Sequence, residues 1–213
     1  MNIRQMLVSS SKYNVKCPYS MTPKFITIHN TANDASANSE VSYMINNDNE
    51  VSFHYAVDNK EAVQGIPENR CAWHCGDGGS GTGNRYSIGI EICYSKSGGD
   101  RFIQAEKNAA YLTATLLKKY GWGIDKVKKH QDWSGKYCPH RTMDMGWQRF
   151  LNMVKVELDK LNKPSTTPST PSTVYRVKAN DVQIGAYGNI DNICNVVKEQ
   201  LKKGVQKIEI VKK

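Results

Sequence analysis

The first seventeen residues, MNIRQMLVSSSKYNVKC, contain no continuous apolar run, so neither a secretory signal nor a membrane-crossing helix is legible there. The expectation is a soluble protein made in the cytoplasm without a signal peptide. Paired cysteines are also missing. The six cysteines, at 17, 71, 75, 93, 138 and 194, form no Cys-x-x-Cys motif in a chain of 213 residues, long enough for a sizeable core and too large to need covalent staples. Reduced thiols are therefore expected. Acidic side chains are in deficit, with 20 Asp and Glu against 29 Lys and Arg, a net charge of +9 and a pI near 9.2. That balance favours polyanionic partners and reports on encounter and solubility rather than on fold. The glycine-rich stretch CAWHCGDGGSGTGNRYS lacks the Gly-Lys-Ser/Thr ending of a phosphate-binding loop, which argues against nucleotide binding. No nucleic-acid-binding motif accompanies the charge.

One stretch breaks the composition. NKPSTTPSTPST, residues 162–173, repeats Pro-Ser-Thr three times and carries no large apolar residue, so it reads as a semi-rigid linker between a domain at 1–161 and a small one at 174–213. Charges before residue 164 number 21 basic and 16 acidic, those after the linker 8 and 4, so the tail carries a basic excess of its own.

Upstream of the linker, KFITIHN (24–30), VSFHYAV (51–57) and YSIGIEICY (86–94) are short, rich in β-branched and aromatic residues, and bounded by Pro, Gly or Asn, which predicts strands. IQAEKNAAYLTATLLKKYG and MGWQRFLNMVKVELDKL keep the apolar spacing of one helical face, and SANSEVSYMINN predicts a shorter helix. The fold class is α/β, a mixed central sheet flanked by helices. After the linker the order strand, strand, helix, strand predicts a small ββαβ domain; about 40 residues bury little surface, so pairing with a second copy or with the larger domain is plausible.

Alternation along the strands places polar residues. In SIGIEIC, Ile88, Ile90 and Ile92 share one face and Gly89, Glu91 and Cys93 the other; in FITIHN, His29 lies opposite Ile26 and Ile28. Two such strand ends could converge on one site. His130 opens HQDWSGKYCPH, with seven residues between it and Cys138, and two imidazoles with one thiolate make a set that zinc accepts while keeping a fourth position for water. The spacing is not that of a zinc finger, and each histidine alone suits a hydrogen-bonded structural role equally well. Glu91 alone would pass for a strand-edge carboxylate, and Lys136 for a solvated loop lysine.

Taken in order and at these intervals, ITIHNTA, SFHYAVD, AWHCGDG, IGIEICY and HQDWSGKYCPH resemble the type 2 N-acetylmuramoyl-L-alanine amidases, most of all the amidase endolysins of phages that infect Gram-positive bacteria. The resemblance covers roughly residues 1–160 and extends to peptidoglycan recognition proteins and the T7-lysozyme-like amidases. It implies a zinc held by His29, His130 and Cys138, with Glu91 as the catalytic carboxylate and Lys136 as the catalytic lysine. Some relatives carry a tyrosine beside the histidine of the second strand; Phe53 stands here and cannot transfer a proton, so that role falls to Glu91. Trp73, His74 and Asn84 could line a groove for the glycan or stem peptide; equally, Cys71, Cys75 and Trp73 could pack beneath the loop. His54 is expected to be structural. The substrate implied is bacterial peptidoglycan, with anionic wall polymers as further partners of the basic chain, no nucleic acid and no membrane. The small C-terminal domain resembles the short terminal domains of such lysins, which implies wall binding or dimerisation. Action on the wall would follow permeabilisation of the membrane.

Overall fold

The structure, a computed structural model, describes residues 1–163, 174–188 and 190–212. These form two compact units, Met1–Lys163 and one beyond it. In the first unit the chain runs β1 (Asn2–Gln5), α1 (Tyr13–Lys16), β2 (Phe25–Asn30), α2 (Ala37–Asn46), β3 (Tyr55–Val57), β4 (Glu61–Gln64), α3 (Thr82–Tyr86), β5 (Ser87–Ile92), α4 (Gly99–Tyr120), β6 (Val127–Lys129), α5 (Gln131–Ser134), α6 (His140–Asp144) and α7 (Trp147–Asn162). Six strands make one sheet in the order β1-β4-β3-β5-β2-β6. Every neighbouring pair is parallel except β3 and β4, so the sheet is mixed, as the alternation of strand and helix predicts.

Central parallel strands are covered on both faces and read as near-continuous apolar runs. Ile26 and Ile28 of β2 and Ile88, Ile90 and Ile92 of β5 accordingly have no solvent exposure. Helix α4 packs over β3, β4 and β5 with Phe102, Ala105, Ala109, Leu112 and Leu116 buried at helical spacing, and α7 seats Phe150, Val154 and Leu158 against it. Gly121 ends α4 in the left-handed conformation (φ 68°) and returns its N–H to the carbonyls of Leu117 and Lys118.

The strand expected over 51–57 is confined to Tyr55–Val57. The reason lies in a competing set of partners: the Ser52 N–H donates to the Trp73 carbonyl, and the Ser52 hydroxyl donates to the Lys16 carbonyl and accepts the Trp73 N–H. Those groups are satisfied by a loop instead of a ladder. Strands β1, β4 and β6 are only three or four residues long and carry Arg4, Glu61, Lys128 and Lys129, which leaves no alternation to read.

The second unit contains β7 (Tyr175–Ala179), β8 (Val182–Tyr187), α8 (Ile190–Lys202) and β9 (Ile208–Lys212), with an antiparallel sheet in the order β8-β7-β9. Asn180 and Asp181 turn β7 into β8 with φ of 48° and 69°, the pair of positive values that a two-residue hairpin requires. Val177, Ala179 and Ile193 form its small buried centre. Of the linker expected at 162–173, Asn162 still closes α7, and residues 164–173 lie outside the described residues.

Candidate metal centre and active site

The C-terminal end of β2 carries His29, and the parallel register with β5 sets Glu91 beside it. On the opposite flank of β2, β6 ends at Lys129 and hands the chain to His130, whose N–H donates to the Ile28 carbonyl. Helix α5 lasts one turn and stops at Gly135, left-handed at φ 80°, so the chain doubles back and brings Cys138 over the same strand end. Two hydrogen bonds hold it there: the Gln131 N–H donates to the Cys138 carbonyl (3.0 Å), and the Thr142 N–H donates to Asn30 Oδ1 (3.1 Å).

These paths bring three donors together. His29 Nδ1 lies 3.0 Å from His130 Nδ1 and 3.9 Å from Cys138 Sγ, all three residues are buried, and the three donor atoms lie within 4.8 Å of one another. Burial pushes the His29 and His130 pKa values down, and the Lys136 charge adds to this, so both imidazoles are held neutral, the form that binds a cation. Burial pushes the Cys138 thiol up to about 11, with Glu91 acting the same way, while the Asn30 backbone and Lys136 oppose it. A bound cation would reverse that preference.

Glu91 faces this trio, its Oε1 4.0 Å from His29 Nδ1 and its Oε2 buried with no hydrogen-bond partner among the described residues. Burial, and after it nearby Glu40, raise its pKa while Lys136 pulls it back, which leaves it at about 8. The four residues form part of the lining of an open cleft of about 870 Å³, together with Lys136 from the exposed 135–137 turn and Phe53. Tyr137 points elsewhere, donating its hydroxyl to Asp144 at 2.6 Å.

Trp73, His74 and Asn84 also border the cleft, but their polar atoms are engaged within the protein. Trp73 Nε1 donates to the Val15 carbonyl (2.9 Å), leaving the half-buried ring as its contribution to the wall. Asn84 Oδ1 accepts the N–H groups of His74 and Cys75 at 2.9 and 2.8 Å, and its Nδ2 donates to the Gly78 carbonyl, which braces the glycine-rich loop. His74 sits behind His29 with both ring nitrogens in hydrogen-bond range of protein atoms. His54 is wholly buried, accepting the Gly89 N–H on Nδ1 and donating from Nε2 to the Arg70 carbonyl, a structural histidine as expected. Tyr55 donates to Glu68 at 2.7 Å, away from the trio. Glu40 is the site carboxylate that sequence reasoning missed; one acid in the first turn of α2 carries no local signal of what its helix will face.

All six cysteines are free. Beyond His29, His130 and Cys138, the set His29, His74 and Cys75 also satisfies the metal-donor distance, but Cys75 is not among the residues that line the cleft.

A family model described as N-acetylmuramoyl-L-alanine amidase matches residues 19–141, which include His29, Glu91, His130, Lys136 and Cys138. N-acetylmuramoyl-L-alanine amidase CwlA of Bacillus subtilis (strain 168) is 58% identical over 173 residues, covering 81% of this chain and 63% of that protein. N-acetylmuramoyl-L-alanine amidase XlyB of the same organism is 52% identical over 185 residues, covering 86% and 58%. The chain thus spans about three-fifths of the length of these relatives. Among solved structures, the PlyG catalytic domain superposes with a TM-score of 0.72 at 57% identity, covering 78% of this chain and all of that one. From the matched segment, the identity to these relatives and the shared α/β architecture, the chain belongs to the N-acetylmuramoyl-L-alanine amidase family.

Proposed function

We propose that this chain is a zinc-dependent hydrolase that cleaves the amide bond between N-acetylmuramic acid and L-alanine in bacterial peptidoglycan. The observation that carries this reading is the buried His29, His130 and Cys138 trio in an open cleft, faced by a carboxylate with one oxygen that has no hydrogen-bond partner among the described residues. The donor set fits the metal. Zinc bonded to nitrogen at about 2.0 Å and to sulfur at about 2.3 Å in a tetrahedron keeps its donors roughly 3.3–3.6 Å apart, and the nitrogen–nitrogen and nitrogen–sulfur separations of 3.0 and 3.9 Å bracket that range. Once held by His29, His130 and Cys138, the ion would acidify a water and polarise the scissile carbonyl.

The other steps belong to the side chains. Glu91 takes the proton of the attacking water on its free Oε2 and returns it to the departing nitrogen, which cannot leave as an anion. Lys136, carried on the exposed turn two residues before Cys138, offers its ammonium to the oxyanion that develops on the carbonyl. Phe53 and the ring of Trp73 supply apolar wall for an amphipathic glycopeptide. For the second unit the reading is adhesion to the wall, supported by its 8 basic against 4 acidic residues and the abundance of acidic wall polymers.

Mass spectrometry of digested, purified peptidoglycan tests the reaction. New peptide amino termini are expected. New reducing sugars would identify a glycosidase instead, and neither product would leave a binder.

A further inference from the structure

Behind the donor trio lies a relay whose direction is settled by a backbone group. His74 Nε2 is 3.2 Å from the Ser87 carbonyl, which can only accept, so that nitrogen carries the hydrogen and Nδ1 is left as the acceptor. Two groups converge on Nδ1: His29 Nε2 at 2.9 Å and the buried Cys75 thiol at 3.1 Å. His29 Nε2 must then be the protonated nitrogen, and its Nδ1, which faces His130 and Cys138, holds the lone pair. The strand makes room for this arrangement at one place. A Cβ on Gly89 would lie 2.7 Å from His74 Nδ1 and 2.9 Å from its Cε1 and Cγ, so only glycine there lets the imidazole stand between β5 and His29.

We propose that His74 is a positioning residue that fixes His29 in the tautomer and ring orientation presenting Nδ1 to the metal. This rests on the zinc reading above. It also explains the placement of two residues that the reaction itself does not use, since Gly89 and Cys75 serve to seat and satisfy the same ring.

The test combines nitrogen NMR with metal titration of the full chain. Long-range proton–nitrogen correlation spectra of the metal-free wild type are expected to show His29 with hydrogen on Nε2 and bare Nδ1; hydrogen on Nδ1 overturns the proposal. Zinc competition against a chromophoric chelator is expected to weaken about 10- to 100-fold for His74→Leu. His74→Asn, which restores an acceptor near Nδ1, should recover most of the loss. Gly89→Ala should reproduce the effect of His74→Leu without altering any donor. If folded His74→Leu and Gly89→Ala proteins bind zinc as tightly as wild type, His74 has no positioning role. Should His74→Leu not fold, Gly89→Ala and the wild-type spectrum still decide. Absence of zinc binding by the wild type would instead sink the zinc reading, and the tautomer of His29 in the metal-free protein would still test His74 independently.

Discussion

Replacing Glu91 by glutamine should make the metal-free protein more stable and nearly abolish the proposed hydrolysis. In the folded chain this carboxyl titrates at about 8 against an ordinary value of 4.5, chiefly because it is buried. Between those two pH values the folded state holds a proton that the unfolded state has released, so stability falls as pH rises through this window. At 1.36 kcal/mol per unit, the 2.5 units between 4.5 and 7 amount to roughly 3 kcal/mol lost at pH 7. Glutamine keeps the shape without the charge. In a chain of this size, 3 kcal/mol corresponds to about 6–12 °C in melting temperature. Calorimetry of EDTA-treated protein should therefore find Glu91→Gln melting higher than wild type by that margin at pH 7, with the two converging at pH 4.5. The metal must be absent, because a bound cation would favour the carboxylate. The same variant, loaded with zinc, should release peptide amino termini from purified walls about 10²- to 10⁴-fold more slowly, the range that proton transfer contributes. A Glu91→Gln protein that melts at or below wild type at pH 7 would refute the burial argument, and hydrolysis within tenfold of wild type would refute the catalytic one.

Lys136→Ala should lower kcat about 10²- to 10³-fold with zinc still bound and the melting temperature little changed, because the residue is exposed and its proposed role is toward the developing oxyanion; zinc analysis and a melt beside the rate assay separate these. Cys138→Ser should purify with little zinc and lose the zinc-dependent rise in melting temperature, which for wild type at a thousandfold excess over Kd is worth about 4 kcal/mol. Glu40→Gln should lower the Glu91 pKa by removing a neighbouring negative charge, read as a downward shift in the carbon-13 titration of the Glu91 carboxyl in metal-free protein.

How far the sequence reveals this site depends on where each residue lies. His29 and Glu91 are legible because both sit near the ends of strands whose alternation is unbroken, and a period of two fixes which face each residue takes. Alternation does not show that β2 and β5 are neighbours; that is long-range pairing, visible only in the register. His74 is the opposite case. It lies in the stretch between β4 and β5, much of it loop without periodicity, where ring orientation follows from Asn84 gripping two backbone amides and from space left by Gly89. A groove-lining role and a role beneath the loop are equally compatible with AWHCGDG, and only coordinates distinguish a ring pointed into the cleft from one pointed at His29. Glu40 lies out of reach for a similar reason, since the partner of a helical carboxylate depends on how α2 packs over β3 and β4.

The placement of the chemistry follows from strand direction. β6, β2 and β5 are adjacent and parallel, so their C-terminal ends open on one edge of the sheet, where binding crevices of parallel sheets form. His29 and Glu91 are paired in register at that edge, and His130 follows directly after β6. A slip of β5 by one residue would exchange its faces, turning Glu91 into the apolar layer occupied by Ile88, Ile90 and Ile92 and sending an isoleucine toward His29. Zero exposure of those three isoleucines makes such a slip costly, on the order of several kcal/mol for the misplaced side chains alone. The aliphatic face of β5 thus holds the carboxylate in position as firmly as any hydrogen bond could, which matters for a group whose buried Oε2 has no hydrogen-bond partner among the described residues.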